Sequence, residues 1–153
     1  MSRRSRGREI ALQLLYQREQ NPKMDRAALE RFARERMKDE PIRKFCLFLY
    51  DGVVEHLSEI DPKISAAAEN WRLSRMPPLD RNVLRLGAFE LLFMQDTPAA
   101  VAFDEAIELA RRYGTADSSA FINGVLDRLR REAGQESGDK SQESGVGDQA
   151  VEL

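Results

Sequence analysis

The apolar residues of this 153-residue chain recur at helical spacing along nearly its whole length. Apolar side chains three or four positions apart share one face of an α-helix, whereas a half-buried strand needs strict alternation. No alternating pattern is sustained over five residues. Proline interrupts the helical pattern at Asn21-Pro22 and again at Arg75–Pro78, since it cannot continue a helix. The sequence therefore predicts an all-α fold of about seven helices.

Capping residues and prolines predict where individual helices begin. Pro41 is a favoured first-turn residue for the third helix, and Asp61-Pro62 is expected to open the fourth. Thr97-Pro98 predicts an N-cap followed by the first residue of the sixth helix. Either Asp117 or Ser118 is expected to cap the seventh.

The joint at Arg75–Pro78 divides the predicted helices into a group of three and a group of four. We expect a single all-helical domain over residues 1–133, in which subdomains of about 5–60 and 61–133 form two bundles side by side. Residues 134–153 are rich in Gly, Ser and Gln and carry five acids against one lysine. Such a segment cannot bury enough apolar surface to fold, so we predict a disordered acidic tail.

Arginine is concentrated at the N-terminus of a chain whose formal net charge is −2. The first eight residues carry a charge of +4, through Arg3, Arg4, Arg6 and Arg8. A positive arm on a mildly acidic body is the electrostatic footprint of a protein that binds a polyanion such as RNA or DNA. Arms of this kind also occur only as solubilising segments, so charge alone leaves nucleic-acid binding open.

The helix that follows separates these arginines by face. At 100° per residue, Arg6 falls beside Gln13 on the polar side, whereas Arg8 falls on the apolar side. We therefore expect Arg8 to be held by a carboxylate at the edge of the core and Arg6 to be free to meet phosphate. Arg3 and Arg4 are expected to precede the helix and to be mobile until bound.

The chain lacks the residue groupings on which common catalytic sites depend. It has one cysteine, Cys46, and one histidine, His56, and the cysteine is flanked by apolar residues typical of a core helix. Its glycines are isolated, so there is no phosphate-binding loop. Asp104 and Glu108 lie one turn apart, but a solvated acidic face explains them better than a metal site. We predict no enzyme activity, no cofactor and no metal.

The hydropathy of the chain gives no indication of a membrane protein. No apolar run approaches the ~20 residues that a membrane span requires. The N-terminus is charged but has no hydrophobic signal segment. The sequence therefore predicts a soluble, cytoplasmic protein.

Three segments in colinear order are distinctive. They read RGREIALQLLYQ at Arg6–Gln17, WRLSRMPPLDRNVLRLGAFEL at Trp71–Leu91 and PAAVAFDEAIELARRYGTADSSAFINGVLD at Pro98–Asp127. Together they resemble the NusB family of bacterial transcription antitermination factors, over roughly residues 6–130. The same fold occurs as an RNA-binding domain attached to certain rRNA cytosine methyltransferases. The resemblance implies the all-α, two-bundle NusB fold.

The resemblance also implies a function and partners. In the NusB family, the protein pairs with NusE, a ribosomal protein of the small subunit. The heterodimer recognises boxA-type single-stranded RNA, especially in ribosomal RNA operons, and acts indirectly on the RNA polymerase antitermination complex to promote read-through. Some relatives self-associate, so a homodimer of the free protein is left open. The alternative is a helical protein-binding scaffold that does not recognise RNA directly.

The motifs of the family assign RNA-binding residues to the first helix and to the start of the seventh. With the N-terminal arginines included, the set is Arg3, Arg4, Arg6, Arg8, Gln13, Tyr16, Asp117 and Phe121. Arginines on phosphates and aromatic or polar groups on splayed bases are the usual means of reading single-stranded RNA. Tyr16 and Phe121 are alternatively core residues, and Asp117 is alternatively only a cap. The partner surface implied around the proline joint comprises Asp80, Arg81 and Arg85.

Two positions depart from the family pattern. Ala120 stands where members often carry a lysine, and Asp104 stands where an asparagine is usual. The first change removes a cation from the implied RNA face, and the second adds a negative charge. Both predict weaker RNA affinity of the isolated protein and greater dependence on the partner.

Overall fold

The computed structural model describes residues 2–69 and 71–134. Within these residues the chain forms seven α-helices and one short 3-10 turn, with no strand. The helices are α1 (Arg3–Gln20), α2 (Arg26–Arg36), α3 (Glu40–Glu55), α4 (Leu57–Ala67), α5 (Pro78–Phe93), α6 (Ala99–Tyr113) and α7 (118–134). The predicted all-α fold of about seven helices is confirmed.

Local capping determines several helix starts. Asp39 precedes α3 and accepts a hydrogen bond from the backbone N–H of Ile42, while Pro41 lies in the first turn, as predicted. The expected start of α6 is wrong by one residue, because Pro98 rather than Thr97 occupies the cap position. Proline has a backbone conformation suited to either place, so the sequence alone does not separate them.

Pro62 lies inside α4 rather than at its start, so the predicted break at Asp61-Pro62 is wrong. The break falls instead at His56, whose backbone N–H donates to two carbonyls of the last turn of α3. Ile60 and Ile64 flank the proline and are fully buried. Burial of these two side chains outweighs the one backbone hydrogen bond that proline cannot donate.

One continuous hydrophobic core joins the two groups of helices. Helix α1 packs against α2, α3, α5 and α6, and α5 packs against α3, α4 and α6. The largest fully buried side chains come from both groups and include Ile10, Leu14, Leu49, Ile64, Leu84, Ile122 and Leu126. Helices α1 and α5 are thus the two elements around which the others pack.

The C-terminal boundary differs slightly from the prediction. Helix α7 continues through residue 134, the first residue of the expected acidic tail. The rest of that tail, 135–153, lies outside the described residues. No described helix is both long enough and apolar enough to cross a membrane.

Candidate nucleic-acid interface

The four N-terminal arginines lie in the first two turns of α1. Ser2 caps this helix, and its hydroxyl accepts a hydrogen bond from the backbone N–H of Ser5 at 3.1 Å. The expectation that Arg3 and Arg4 precede the helix is therefore wrong, because α1 begins at Arg3. The helix consequently holds the backbone of all four arginines in fixed positions.

Arg8 points into the protein and pairs with Glu90 of α5. Its Nε and Nη2 donate to the carboxylate over 2.7–3.1 Å, and neither side chain is more than 4% exposed. Burial raises the pKa of Glu90, and the hydrogen bonds and charge of Arg8 offset only part of that rise. The expected carboxylate anchor for Arg8 is thus present. Since a phosphate cannot reach this guanidinium in the folded protein, the structure separates Arg8 from the other three arginines.

Arg3 and Arg6 are exposed, and each is held by an ion pair with a carboxylate. Nε of Arg3 donates to Asp39 at 2.8 Å, and Nη1 of Arg6 donates to Glu9 at 2.6 Å. The two arginine side chains are 70% and 44% exposed. Exposed ion pairs contribute little stability, so a phosphate can replace Asp39 at small cost, whereas Glu9, 7% exposed, is a buried partner of Arg6.

A shallow cleft of about 390 Å³, here called the basic cleft, lies between the start of α1 and the end of α2. It is lined by Ser2, Arg3, Arg6, Arg36, Met37, Lys38, Asp39 and Ile42. Four of these side chains are cationic and one is acidic, so the cleft attracts anions. Arg4 is not among its lining residues; its guanidinium lies over the Phe45 ring, 4.5 Å from the centroid.

A second cleft, here called the tyrosine cleft, has a volume of about 440 Å³. Its lining residues are Glu9, Leu12, Gln13, Tyr16, Gln17, Phe32, Arg36, Pro78, Leu79 and Tyr113. Tyr16 is 44% exposed and Tyr113 is 47% exposed. The alternative that Tyr16 is a core residue is therefore wrong. Burial and a hydrogen bond with Glu9 raise the pKa of Tyr113, so it stays a neutral phenol at physiological pH.

A third cleft, here called the tryptophan cleft, has a volume of about 470 Å³. It is lined by Trp71, Arg75, Met76, Pro77, Asp80, Thr115, Asp117, Ser118 and Phe121. Trp71 is 57% exposed and meets Phe121 nearly edge to face, with 6.2 Å between the ring centroids. Phe121 is half-buried, so it belongs partly to the core and partly to the cleft. Asp117 directly precedes α7 and is exposed, which leaves its carboxylate accessible in addition to any capping role.

The three clefts follow one another along the surface. Arg36 lines both the basic cleft and the tyrosine cleft. Pro78 and Leu79 line the tyrosine cleft, while the adjoining Pro77 and Asp80 line the tryptophan cleft. The proline joint thus forms the boundary between the second and third clefts. Of the eight residues predicted to bind RNA, all except Arg4 and Arg8 line this surface.

The three residues predicted to bind a partner lie on α5 and are largely engaged within the chain. Arg81 pairs with Glu19, and Arg85 pairs with both Glu19 and Asp61. Burial raises the pKa of Glu19, but hydrogen bonds and charges of the two arginines outweigh it and leave the pKa lowered. Asp80 is 7% exposed in the first turn of α5, where the helix dipole favours an acid. These arginines therefore tie α1 and α4 to α5.

Among the lining residues that sequence reasoning missed are Arg36, Trp71 and Tyr113. Arg36 follows Phe32 by one helical turn, a spacing at which side chains on a helix meet. Trp71 is the only tryptophan and lies in a connection between helices, where functional residues concentrate. Both signals were readable in the sequence, whereas the approach of Tyr113 to α1 depends on tertiary packing.

Two features bear on catalysis and metal binding in the described residues: the grouping of possible metal ligands and the state of Cys46. Residues 2–69 and 71–134 contain no group of three or more His, Cys, Asp or Glu side chains placed to hold a metal ion. Cys46 is buried as predicted, and burial raises the pKa of its thiol to about 12. It is therefore a thiol, not a reactive thiolate, at neutral pH.

The fold and this surface define a class of protein: a small all-α domain whose cationic first helix borders a row of aromatic clefts. The NusB family model matches residues 5–131, and the chain belongs to the NusB family. The family predicted from the three sequence segments is therefore confirmed.

Two bacterial NusB proteins are similar to this chain in sequence over most of its length. The transcription antitermination protein NusB of Sorangium cellulosum is 45% identical over 140 residues, covering 92% of this chain and 100% of that protein. The NusB protein of Myxococcus xanthus is 47% identical over 133 residues, covering 84% of this chain and 95% of its own.

Solved structures are similar over the same region. The structure of T. maritima NusB has a TM-score of 0.76 and 41% identity, and covers 86% of this chain and 92% of that one. A structure of antitermination factors NusB and NusE in complex with double-stranded RNA has a TM-score of 0.78 and 26% identity. The match covers 86% of this chain and 98% of that one. The predicted NusB-like fold is thus confirmed.

Proposed function

We propose that this protein is a transcription antitermination factor that binds boxA-type single-stranded RNA together with ribosomal protein NusE. In this role it promotes read-through by the RNA polymerase antitermination complex in ribosomal RNA operons. It acts in the cytoplasm, as a binding protein rather than an enzyme. The observation that carries the proposal is the row of three clefts, in which cations, tyrosines and a tryptophan follow one another. The similarity to NusB proteins and to the NusB–NusE complex with RNA supports it.

The basic cleft and the adjoining turns of α1 supply phosphate contacts. Arg3 and Arg6 present exposed guanidinium groups, which form charge-assisted hydrogen bonds to phosphate oxygens. Arg4 lies on the same helix, with its guanidinium stacked on Phe45 of α3, and adds a third cation. Phosphate contacts position a strand without reading its sequence, so this region supplies affinity.

The tyrosine and tryptophan clefts supply contacts to bases. Unstacked bases of single-stranded RNA stack on exposed aromatic rings, and Tyr16 and Trp71 offer such faces. Asp117 repels phosphate but accepts hydrogen bonds from the amino groups of bases. Specificity for a base sequence therefore resides at these clefts and at the partner protein.

The dependence of RNA binding on NusE follows from two charge differences between this chain and the usual family pattern, at Ala120 and Asp104. Ala120 is exposed at the start of α7, beside Asp117 and Phe121, where a lysine would add a phosphate contact. We infer that the isolated protein binds RNA weakly and that NusE completes the surface. Asp80, Arg81 and Arg85 remain the proposed partner contacts, reached through the small part of each that is exposed.

A recovery experiment with all three components tests the function. Tagged full-length protein is incubated with NusE and with either boxA RNA or a scrambled RNA of equal length. The proposal predicts that RNA and NusE are recovered together with boxA and that the scrambled RNA is lost on washing. Equal recovery of NusE with no preference between RNAs would instead support the protein-binding scaffold.

Substitution of Trp71 by alanine tests the base contacts separately. We expect RNA affinity to fall about tenfold, since one base–aromatic stack contributes ~1–3 kcal/mol. The salt dependence of binding should stay unchanged, because no charge is removed. Phe48→Ala is the matched control, since Phe48 is 56% exposed on α3 and lines none of the three clefts. Equal affinities of the two variants would remove Trp71 from the RNA-binding surface.

A further inference from the structure

Arg36, the last residue of α2, lies where the basic cleft meets the tyrosine cleft. It lines both. Its guanidinium stacks over the Phe32 ring, 3.4 Å from the centroid, and Phe32 itself lines the tyrosine cleft. A strand that passes from one cleft to the other must therefore pass this guanidinium.

The partners of Arg36 distinguish it from the other arginines of the basic cleft. Arg3 and Arg6 are each paired with a carboxylate that a phosphate must displace. Within residues 2–69 and 71–134, Arg36 forms no ion pair and is exposed. A polyanion can therefore bind Arg36 without displacing a carboxylate from it.

Stacking on Phe32 also prepares Arg36 for binding. A guanidinium stacked on an aromatic ring keeps the N–H groups at its edge free to bind a ligand. The long side chain is already ordered, so less conformational entropy is lost when a ligand binds. The outward fork of N–H groups matches two oxygens of one phosphate.

We infer that Arg36 binds a backbone phosphate of single-stranded RNA at the junction of the basic and tyrosine clefts. This inference rests on the proposed function and adds a residue of α2 to the proposed RNA-binding surface. The phosphate is held by the fork of Arg36, and the bases on its far side reach the exposed rings of Tyr16 and Tyr113. Nucleic acid fits this junction better than an acidic peptide does, because the exposed rings of Tyr16 and Tyr113 beside the cation offer stacking faces for bases.

The test measures binding of a boxA RNA oligonucleotide to the full-length protein with NusE over a range of salt concentrations. We expect Arg36→Ala to weaken binding about tenfold, as loss of a charged hydrogen-bonded contact does. The slope of the logarithm of the binding constant against that of salt concentration should become shallower by about 0.7. Arg34→Ala is the matched control, since Arg34 lies on the same helix, is 58% exposed and lines neither cleft.

Two further variants separate charge from stacking. Phe32→Leu keeps an apolar side chain but removes the stack, and we expect binding about threefold weaker with an unchanged salt slope. Arg36→Lys keeps the charge but not the planar fork, and should likewise retain the slope with reduced affinity. An Arg36→Ala slope equal to that of Arg34→Ala, with wild-type binding intact, would overturn this inference and leave the proposed function standing.

The remaining outcomes also decide between the two proposals. If wild-type protein with NusE fails to prefer boxA RNA, the proposed function fails and the role of Arg36 fails with it. If Arg36→Ala weakens binding of NusE in the absence of RNA but leaves the RNA salt slope unchanged, Arg36 belongs to the protein interface. Circular dichroism and thermal melting of each variant show that the fold is retained.

Discussion

Replacement of Arg8 by alanine is expected to lower the free energy of unfolding by about 3–5 kcal/mol. The change leaves the carboxylate of Glu90, which is 2% exposed, without its hydrogen-bonded partner. Removing one member of a buried ion pair costs far more than removing an exposed one, because the remaining charge has lost contact with water and with its partner. Denaturant unfolding followed by circular dichroism measures the difference.

The loss of unfolding free energy caused by Arg8→Ala should depend on pH. Burial raises the pKa of Glu90, and Arg8 lowers it by hydrogen bonding and charge, so the variant must have a still higher pKa at this carboxyl. A carboxyl whose folded pKa is raised gives stability that is fully present below its unfolded pKa and is lost as pH rises through the folded pKa. The difference between variant and wild type should therefore grow as pH rises through the raised pKa of Glu90 in the wild type towards its still higher pKa in the variant.

Two controls isolate the buried pair. Arg8→Met combined with Glu90→Leu removes both charges while keeping side-chain volume, and should unfold within about 1–2 kcal/mol of wild type or be more stable. Arg3→Ala on the same helix removes only an exposed pair and should cost less than about 1 kcal/mol. A double variant no better than Arg8→Ala would show that packing, and not the unpaired charge, causes the loss.

Replacement of Gly52 by alanine is the second large effect expected. Gly52 of α3 faces Phe89 of α5, and a Cβ at this position would lie 2.1 Å from Cε1 of the ring. Phe89 is 3% exposed and is bordered by Phe93 and His56, so the ring has no free space to enter. We expect a loss of about 2–3 kcal/mol, since overpacking outweighs the gain in helix propensity of alanine over glycine.

A second glycine provides the matched control. Gly124 of α7 has only Nη1 of Arg128 nearby, at 3.8 Å from the added Cβ. Gly124→Ala should therefore stabilise the protein by about 0.5–1 kcal/mol. In a Phe89→Leu background, Gly52→Ala should cost less than about 1 kcal/mol, because the clashing ring is absent. An equal cost in both backgrounds would exclude the contact with Phe89 as the cause.

The parts of the fold that depend on residues close together in the sequence could be predicted from it. The helical period gave the fold class, and the face of α1 on which Arg8 lies predicted its burial. Its partner, Glu90, lies 82 residues away, and no local pattern identifies it. Pro62 misled the prediction for the same reason, because burial of the flanking isoleucines is a tertiary effect that overrides the local preference of proline.

The candidate site was predictable only in part. Arg6 and Gln13 share the polar face of α1, which the helical period already indicates, whereas the exposure of Tyr16 was left open. The clefts themselves are formed by residues distant in sequence, such as Trp71 with Phe121 and α1 with Tyr113. Arg4 was expected to be a mobile cation, and the ring on which it lies comes from α3.

The central claim is that the exposed arginines of α1 bind RNA phosphates. Its most direct test is the salt dependence of boxA RNA binding, with NusE present, for wild type and for the triple variant of Arg3, Arg4 and Arg6 to alanine. A control with the same change in net charge replaces Arg26, Arg34 and Arg131, which are exposed and line none of the three clefts. We predict that the triple variant flattens the log–log slope by about two units and that the control leaves it unchanged. Equal slopes for all three proteins would contradict the account.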